Sequence, residues 1–333
     1  MIEIKTYAPI FIPTLCRYEH FKRCVDSLAS CTHAVNTDLI IALDYPLNES
    51  HWEGYNKIKE YLPTITGFKN VEIIERTKNW GIPKNILDGR RMTFEKYDRI
   101  IITEDDNEFS PNFLDYINKG LEKFKDDESI FAICGSSSIL YKQDRALFAS
   151  SFLYTATFSA SGYGILRSMH EKYYFSFLNE EHHRNLLSSF RNSFKILKYL
   201  SMYISGLLSM LGKKVVYGDW SIAPSLIVKD MRCIKPVLSM VKNHGYDGSG
   251  VHCGVIDKDV IDSFEIDSAS EFHFGLAPNK KDDKIALKIQ KKYFKFYPLY
   301  SIWIFVRYLI YRVTKKVVFI KLPVNLMRYK KDN

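Results

Sequence analysis

Three consecutive acids, Glu104-Asp105-Asp106, stand directly after the apolar run Ile100-Ile101-Ile102. Adjacent carboxylates repel and raise one another's pKa, so such a triplet needs a cation or water to offset it. A hard divalent ion, Mg2+ or Mn2+, suits oxygen ligands and keeps positions open for water or substrate phosphates. The triplet therefore reads as a metal–diphosphate site, or else as a solvated acidic turn favouring the helix start at Pro111. The ends of other apolar runs supply further groups. Pro13-Thr14-Leu15-Cys16-Arg17 follows the first run, and its Arg suits a phosphate or the face of a base. Asp44 closes the second run as an acceptor for an imide N–H. Asn79, Lys84 and Asn85 flank the Gly81–Pro83 turn with side chains suited to a diphosphate or to sugar hydroxyls. Singly, each is also an ordinary surface or turn residue.

The elements that must carry them alternate. Apolar runs at Ala8–Ile12, Leu39–Leu43, Val71–Ile74, Arg99–Thr103 and Ile130–Cys134 read as strands. Phe21, Val25 and Leu28 recur at helical spacing, and a helix is expected from Pro83 to about Phe94. Ser110-Pro111 reads as N-cap and first residue of another, with Phe113, Leu114, Ile117 and Leu121 on one face. Strands alternating with helices imply an α/β fold with a mostly parallel sheet, whose ligands gather at the carboxyl ends of the strands. All the groups named above fall on that one edge.

The second half is less regular. Ser159–Gly164 is a small-residue stretch that can bring backbone close to a ligand. His182–Val216 reads as helical and amphipathic, an insertion or acceptor-side lid. Phe296–Tyr311 is apolar but holds Pro298 and Arg307, and falls short of the about twenty residues that cross a bilayer.

With 333 residues, 46% hydrophobic and 26% charged, the chain is globular, neither disordered nor collagenous. Its net charge of +9 is concentrated in the tail. Lys281–Asn333 holds fourteen Lys/Arg against three Asp/Glu, leaving the body slightly acidic. That argues against a nucleic-acid binder. The six cysteines stand singly, and Met1–Thr14 lacks the pattern of a secretory signal, so reduced thiols in the cytoplasm are expected.

The run from Lys84 through Ile117, with Glu104-Asp105-Asp106 and then Phe109-Ser110-Pro111-Asn112-Phe113, resembles nucleotide-sugar transferases of the GT-A fold. Within these it is most similar to the N-acetylglucosaminyltransferase I family. The resemblance covers residues 8–120 well and the remainder in fragments. It implies a Rossmann-like sheet with a helical acceptor-side insertion and a C-terminal helical tail. Arg17 and Asp44 would contact uracil, Glu104 and Asp105 the donor's sugar and ribose, and Asp106 the metal. Lys84-Asn85 would lie on the diphosphate side. Asp219-Trp220 resembles the element carrying the family's general base, although Gly218 stands where the family has a first acid; Asp219 also reads as a helix N-cap. Gly245–Cys253 resembles a segment of bacterial relatives, with His252 or His244 approaching the metal or serving a turn.

The expectation is a metal-dependent inverting transfer of a sugar, GlcNAc among the candidates, from a UDP-sugar to a saccharide acceptor. The setting would be bacterial surface polysaccharide synthesis, lipopolysaccharide O-antigen or capsule. Residues 1–135 would bind the nucleotide sugar and 136–280 the acceptor. Residues 281–333, with Lys291, Lys292, Lys295, Arg312, Lys315 and Lys316 around aromatic and apolar residues, suit the anionic inner face of the cell membrane or a buried helix pair. A lipid-linked acceptor would favour the former. A sugar-phosphate nucleotidyltransferase and a non-catalytic carbohydrate-binding membrane protein are the alternatives.

Overall fold

The computed structural model describes residues 2–137, 146–248, 264–267, 274, 280–292 and 297–318. Its first part alternates as β1 (Ile10–Thr14), α1 (Tyr18–Ala29), β2 (Asp38–Leu43), α2 (Glu49–Tyr61), β3 (Asn70–Glu75), α3 (Ile82–Lys96) and β4 (Arg99–Ile102). β1, β2 and β4 are almost wholly buried, which is why each reads as an unbroken apolar run: helices cover both faces of a parallel sheet. Phe21, Val25 and Leu28 turn the inner face of α1 to that core, as their spacing predicts.

β5 (Asn107–Phe109), α4 (Phe113–Lys123), β6 (Ile130–Cys134), β7 (Phe152–Thr155) and β8 (Tyr163–Leu166) follow. A short irregular helical stretch at 167–177 leads into α5 (Glu180–Ser188), α6 (Phe190–Leu200), α7 (Met202–Lys213) and α8 (Gly218–Lys229). β9 (Arg232–Pro236), β10 (Val241–Asn243), α9 (Lys280–Lys292) and α10 (Tyr297–Thr314) complete it.

One eight-stranded sheet runs β3-β2-β1-β4-β8-β6-β9-β7, with β8 and β7 antiparallel to the rest. The chain is an α/β protein with a mostly parallel sheet flanked by helices, and its first and second halves share that sheet. The chain builds outward from β1 through β2 to β3, then returns to lay β4 against the other side of β1. This reversal opens a crevice at the carboxyl ends of β1 and β4, where α/β sheets bind ligands.

Two local expectations are corrected. α4 starts at Phe113 with Asn112 at its N-cap, and not at Ser110-Pro111. The Ser110 N–H is committed to the Met240 carbonyl at 2.9 Å, so Ser110 extends the β5–β10 ribbon instead. The stretch expected as one helix over 182–216 is three, broken at Ser189 and Ser201. The Ser189 hydroxyl caps α6 by accepting from the Asn192 N–H. Leu186, Leu187, Ile196, Leu200, Ile204 and Leu207 pack these helices on the same core as Phe131, Tyr163 and Ile165.

Arg307, which interrupts the apolar tail helix, faces inward. Its guanidinium donates to the Ser205 hydroxyl and the Val318 carbonyl. Among the described residues no helix is long and apolar enough to cross a membrane.

Candidate functional site

The β1–α1 turn delivers Arg17 to the acidic triplet at the end of β4. Its guanidinium bonds Asp105 and reaches Asp106 at 3.0 Å, while the Thr14 hydroxyl donates to Asp105 at 2.9 Å. Both carboxylates are about 5% exposed. Burial works against the Arg17 charge, but the two carboxylates outweigh it and its pKa rises. Burial likewise pushes the Asp105 carboxyl up, with Arg17 opposing. The triplet is therefore no solvated helix-start turn. Its charge is partly neutralised from within.

A second element holds Asp106 from the far side. β10 pairs antiparallel with β5, setting Asn243 opposite Asn107. The Asn243 amide donates to Asp106 at 2.9 Å, and the His244 N–H to the Asp106 carbonyl at 2.8 Å. Gly245 comes so close that a Cβ there would sit 2.2 Å from Asp106 Oδ2. The His244 ring meets Glu108 at 2.7 Å, so in this structure it serves the ribbon. His252 lies outside the described residues. Sequence reading missed Asn243 and the contact at Gly245, because three-residue strands have too little periodicity to register.

Glu104 is exposed at the end of β4, though neighbouring atoms crowd its carboxyl. Its carboxyl is pushed up to about 8, by poor hydration first and then by the charges of Asp106, Asp219 and Asp105. The structure thereby brings Asp219, more than a hundred residues away, to the triplet. Asp219 sits in the first turn of α8 but does not cap that helix; its carboxylate accepts from the Ala160 N–H at 3.0 Å. Burial pushes it up to about 6, against Lys235 and the Ala160 bond. The small-residue stretch explains the approach. Gly162, at φ +68°, passes its carbonyl to the Gly135 N–H at 2.8 Å and lies against Phe109 and Phe113, where a Cβ would clash. Trp220 anchors the helix by packing on Gly206.

The remaining expected residues fall along the same edge with different tasks. Asp44, at the end of β2, accepts from the backbone N–H groups of Tyr45, Trp80 and Gly81 at 2.8–2.9 Å, and so shapes the turn before α3. Asn79 donates to the Tyr45 carbonyl. Asn85, expected on the diphosphate side, is 2% exposed and turned inward. Its amide spans the Ala42 carbonyl and Arg76 Nε, each at 2.9 Å, bracing α3 on β2. Lys84 is exposed and lies over the Trp80 ring at 4.4 Å, and Arg76 also lies over that ring at 4.1 Å. Pro13 is half-buried at the end of β1. Cys16, Cys24, Cys31, Cys134 and Cys233 are free thiols.

No cluster of three His, Cys, Asp or Glu able to hold a metal occurs among the described residues. Mg2+ and Mn2+ do not require one: they bind through one or two carboxylates and take phosphates and water for the rest. The paired Asp105 and Asp106 carboxylates fit that demand.

No family model matches the chain, and no curated protein matches it. Among solved structures, the mannosyltransferase PcManGT from Pyrobaculum calidifontis, in complex with GDP-Man and Mn2+, is similar over 50% of this chain and 47% of its own. Identity there is 13% and the TM-score 0.34. S. aureus TarS is similar over 50% of this chain and 29% of its own, at 9% identity and a TM-score of 0.32. Its 1–349 form gives 49% of its own length, 11% identity and 0.34. The chain thus spans about half, or less, of the length of the structures it resembles.

Proposed function

We propose that the chain is a metal-dependent glycosyltransferase that moves a sugar from a nucleotide diphosphate sugar to a saccharide hydroxyl. One observation carries the reading: buried Asp105 and Asp106, braced by Arg17, stand beside Glu104, whose carboxyl feels the charge of a separate carboxylate, Asp219. A divalent cation held by Asp106, with Asp105 beside it, would offset charge growing on the departing diphosphate. Asp219 would take the proton of the acceptor hydroxyl as its oxygen attacks the anomeric carbon opposite the leaving group. That is the geometry of inversion. A carboxylate poised near 6 is ionised at neutral pH and still basic enough for this task.

UDP is the nucleotide we propose, with Arg17 and the Asp44-shaped turn at Asn79–Gly81 framing its base and diphosphate. GlcNAc is among the donor sugars, and surface polysaccharide the product class. We place the enzyme on the inner face of the cell membrane. Ile302, Leu309 and Val313 form an exposed apolar stripe on α10, with Phe190 and Phe194 exposed nearby on α6 and Lys315 and Lys316 at its end. Apolar residues bordered by cations suit an anionic headgroup layer.

Incubating the protein with UDP-sugars or GDP-sugars, Mn2+ and an oligosaccharide panel, and measuring released nucleotide diphosphate, tests the reading. Asp106→Ala is expected to abolish turnover and metal-dependent nucleotide binding. Retention of both would overturn it, and release of pyrophosphate would point to a nucleotidyltransferase.

A further inference from the structure

Lys235 is 6% exposed, on β9. Its strand runs in the same direction as β4, so it stands at the same sheet edge as the acidic triplet. It is flanked in register by Leu153 of β7, and by the end of β6 at Cys134. Asp219, across the small-residue stretch, feels its charge. Among the described residues the Lys235 ammonium makes neither hydrogen bond nor close ion pair. Unlike the sealed, unpartnered nitrogens of Arg76 and Arg90, its ammonium still touches solvent. A charge so deeply set, with the through-space attraction of Asp219 but no hydrogen-bonded partner for its ammonium, is costly, and such groups are retained where something outside the protein meets them.

Its place in the sheet selects what that is. β9 lies three strands from β4, about 14 Å at the usual spacing. A lysine side chain spans less than half of that, so Lys235 belongs to Asp219 and the acceptor, and not to the diphosphate at Asp106. We propose that Lys235 is an acceptor-recognition residue, and that the acceptor carries an anionic group, a carboxylate or a phosphate, close to its nucleophilic hydroxyl. This rests on Asp219 marking the acceptor side of the proposed transferase.

The test titrates methyl glucuronide, glycerol 3-phosphate and methyl glucoside into the full chain with UDP and Mn2+ present. A prior titration of UDP and Mn2+ alone reports on the nucleotide-sugar reading separately. At least one acid is expected to bind ten-fold or more tightly than the glucoside, and which one distinguishes carboxylate from phosphate. Lys235→Met should erase that preference and Lys235→Arg retain it, both with unchanged UDP affinity; Lys235→Gln serves where the Met variant does not fold. Equal binding of acid and glucoside, no binding of either acid, or a preference surviving in both Lys235→Met and Lys235→Gln would overturn the assignment.

Discussion

Arg17→Met is the most informative single change. It keeps the aliphatic stem and removes the charge that holds Asp105 and Asp106 together. Breaking a buried ion pair from one side costs about 3–5 kcal/mol, because it strands the partner. Here the Arg17 side chain is 25% exposed and the two carboxylates are 7% and 5% exposed, so solvent screens the cation more than its partners. The Thr14 hydroxyl and the Asn243 amide also remain on the carboxylates. These reduce the expected loss to about 2–3 kcal/mol. At roughly 2 °C per kcal/mol for a chain of this size, melting should fall by about 4–6 °C. The distinguishing feature is rescue. If the carboxylates accept a divalent cation, millimolar Mn2+ should raise the melting temperature of Arg17→Met more than that of the wild type. Differential scanning fluorimetry with and without Mn2+, with Ca2+ as a second hard ion and K+ as a control, reads this directly. A variant that melts with the wild type, or whose loss Mn2+ leaves untouched, refutes the picture of a cation-seeking pair.

Asp219→Asn should keep nucleotide binding and lower transfer by about 10²–10⁴-fold. In the wild type the rate should fall as pH drops through about 6, since Asp219 must be ionised to accept a proton; a pH–rate profile flat to pH 5 would count against it. Gly245→Ala forces a methyl onto Asp106 Oδ2, so it should cost about 1–3 kcal/mol by thermal melting and weaken Mn2+-dependent UDP binding in calorimetry. Ile302→Asp with Leu309→Asp should halve or further reduce sedimentation with anionic liposomes at unchanged melting temperature; undiminished sedimentation would remove α10 from the membrane.

Much of the site was legible because it lies where short-range pattern and topology agree. The runs ending at Thr14, Leu43 and Ile102 are buried on both faces, hence apolar throughout, and each stops where backbone must emerge at the ligand edge. Residues at those stops were readable by position alone. Their side-chain tasks were less so. Asp44 and Asn85 have the right chemistry for a ligand, yet backbone N–H groups and an inward-facing carbonyl claim them first, a competition that only the folded turn reveals. The β5–β10 ribbon was invisible for another reason: its residues are far apart in sequence, and Asn243 meets Asp106 through tertiary pairing. Lys235 escaped notice because a lysine in a sequence defaults to the surface.

The charges themselves explain why these features belong together. Even with Glu104 neutral, the two carboxylates of Asp105 and Asp106 outnumber the single Arg17 cation, an excess of one negative charge when both are ionised. A diphosphate brings about two more negative charges. At 4 Å and an effective dielectric of 20, each like-charge contact costs about 4 kcal/mol, so two would cancel the roughly 8 kcal/mol of micromolar binding. An anion therefore has no reason to settle over these acids unless a divalent cation lies between. Arg17, set at the β1–α1 turn and paired to both carboxylates, offsets part of their charge in the absence of that cation. Across the sheet the balance differs: the buried Lys235 ammonium stands where Asp219 feels its charge, so an anionic group can be met there without a metal between.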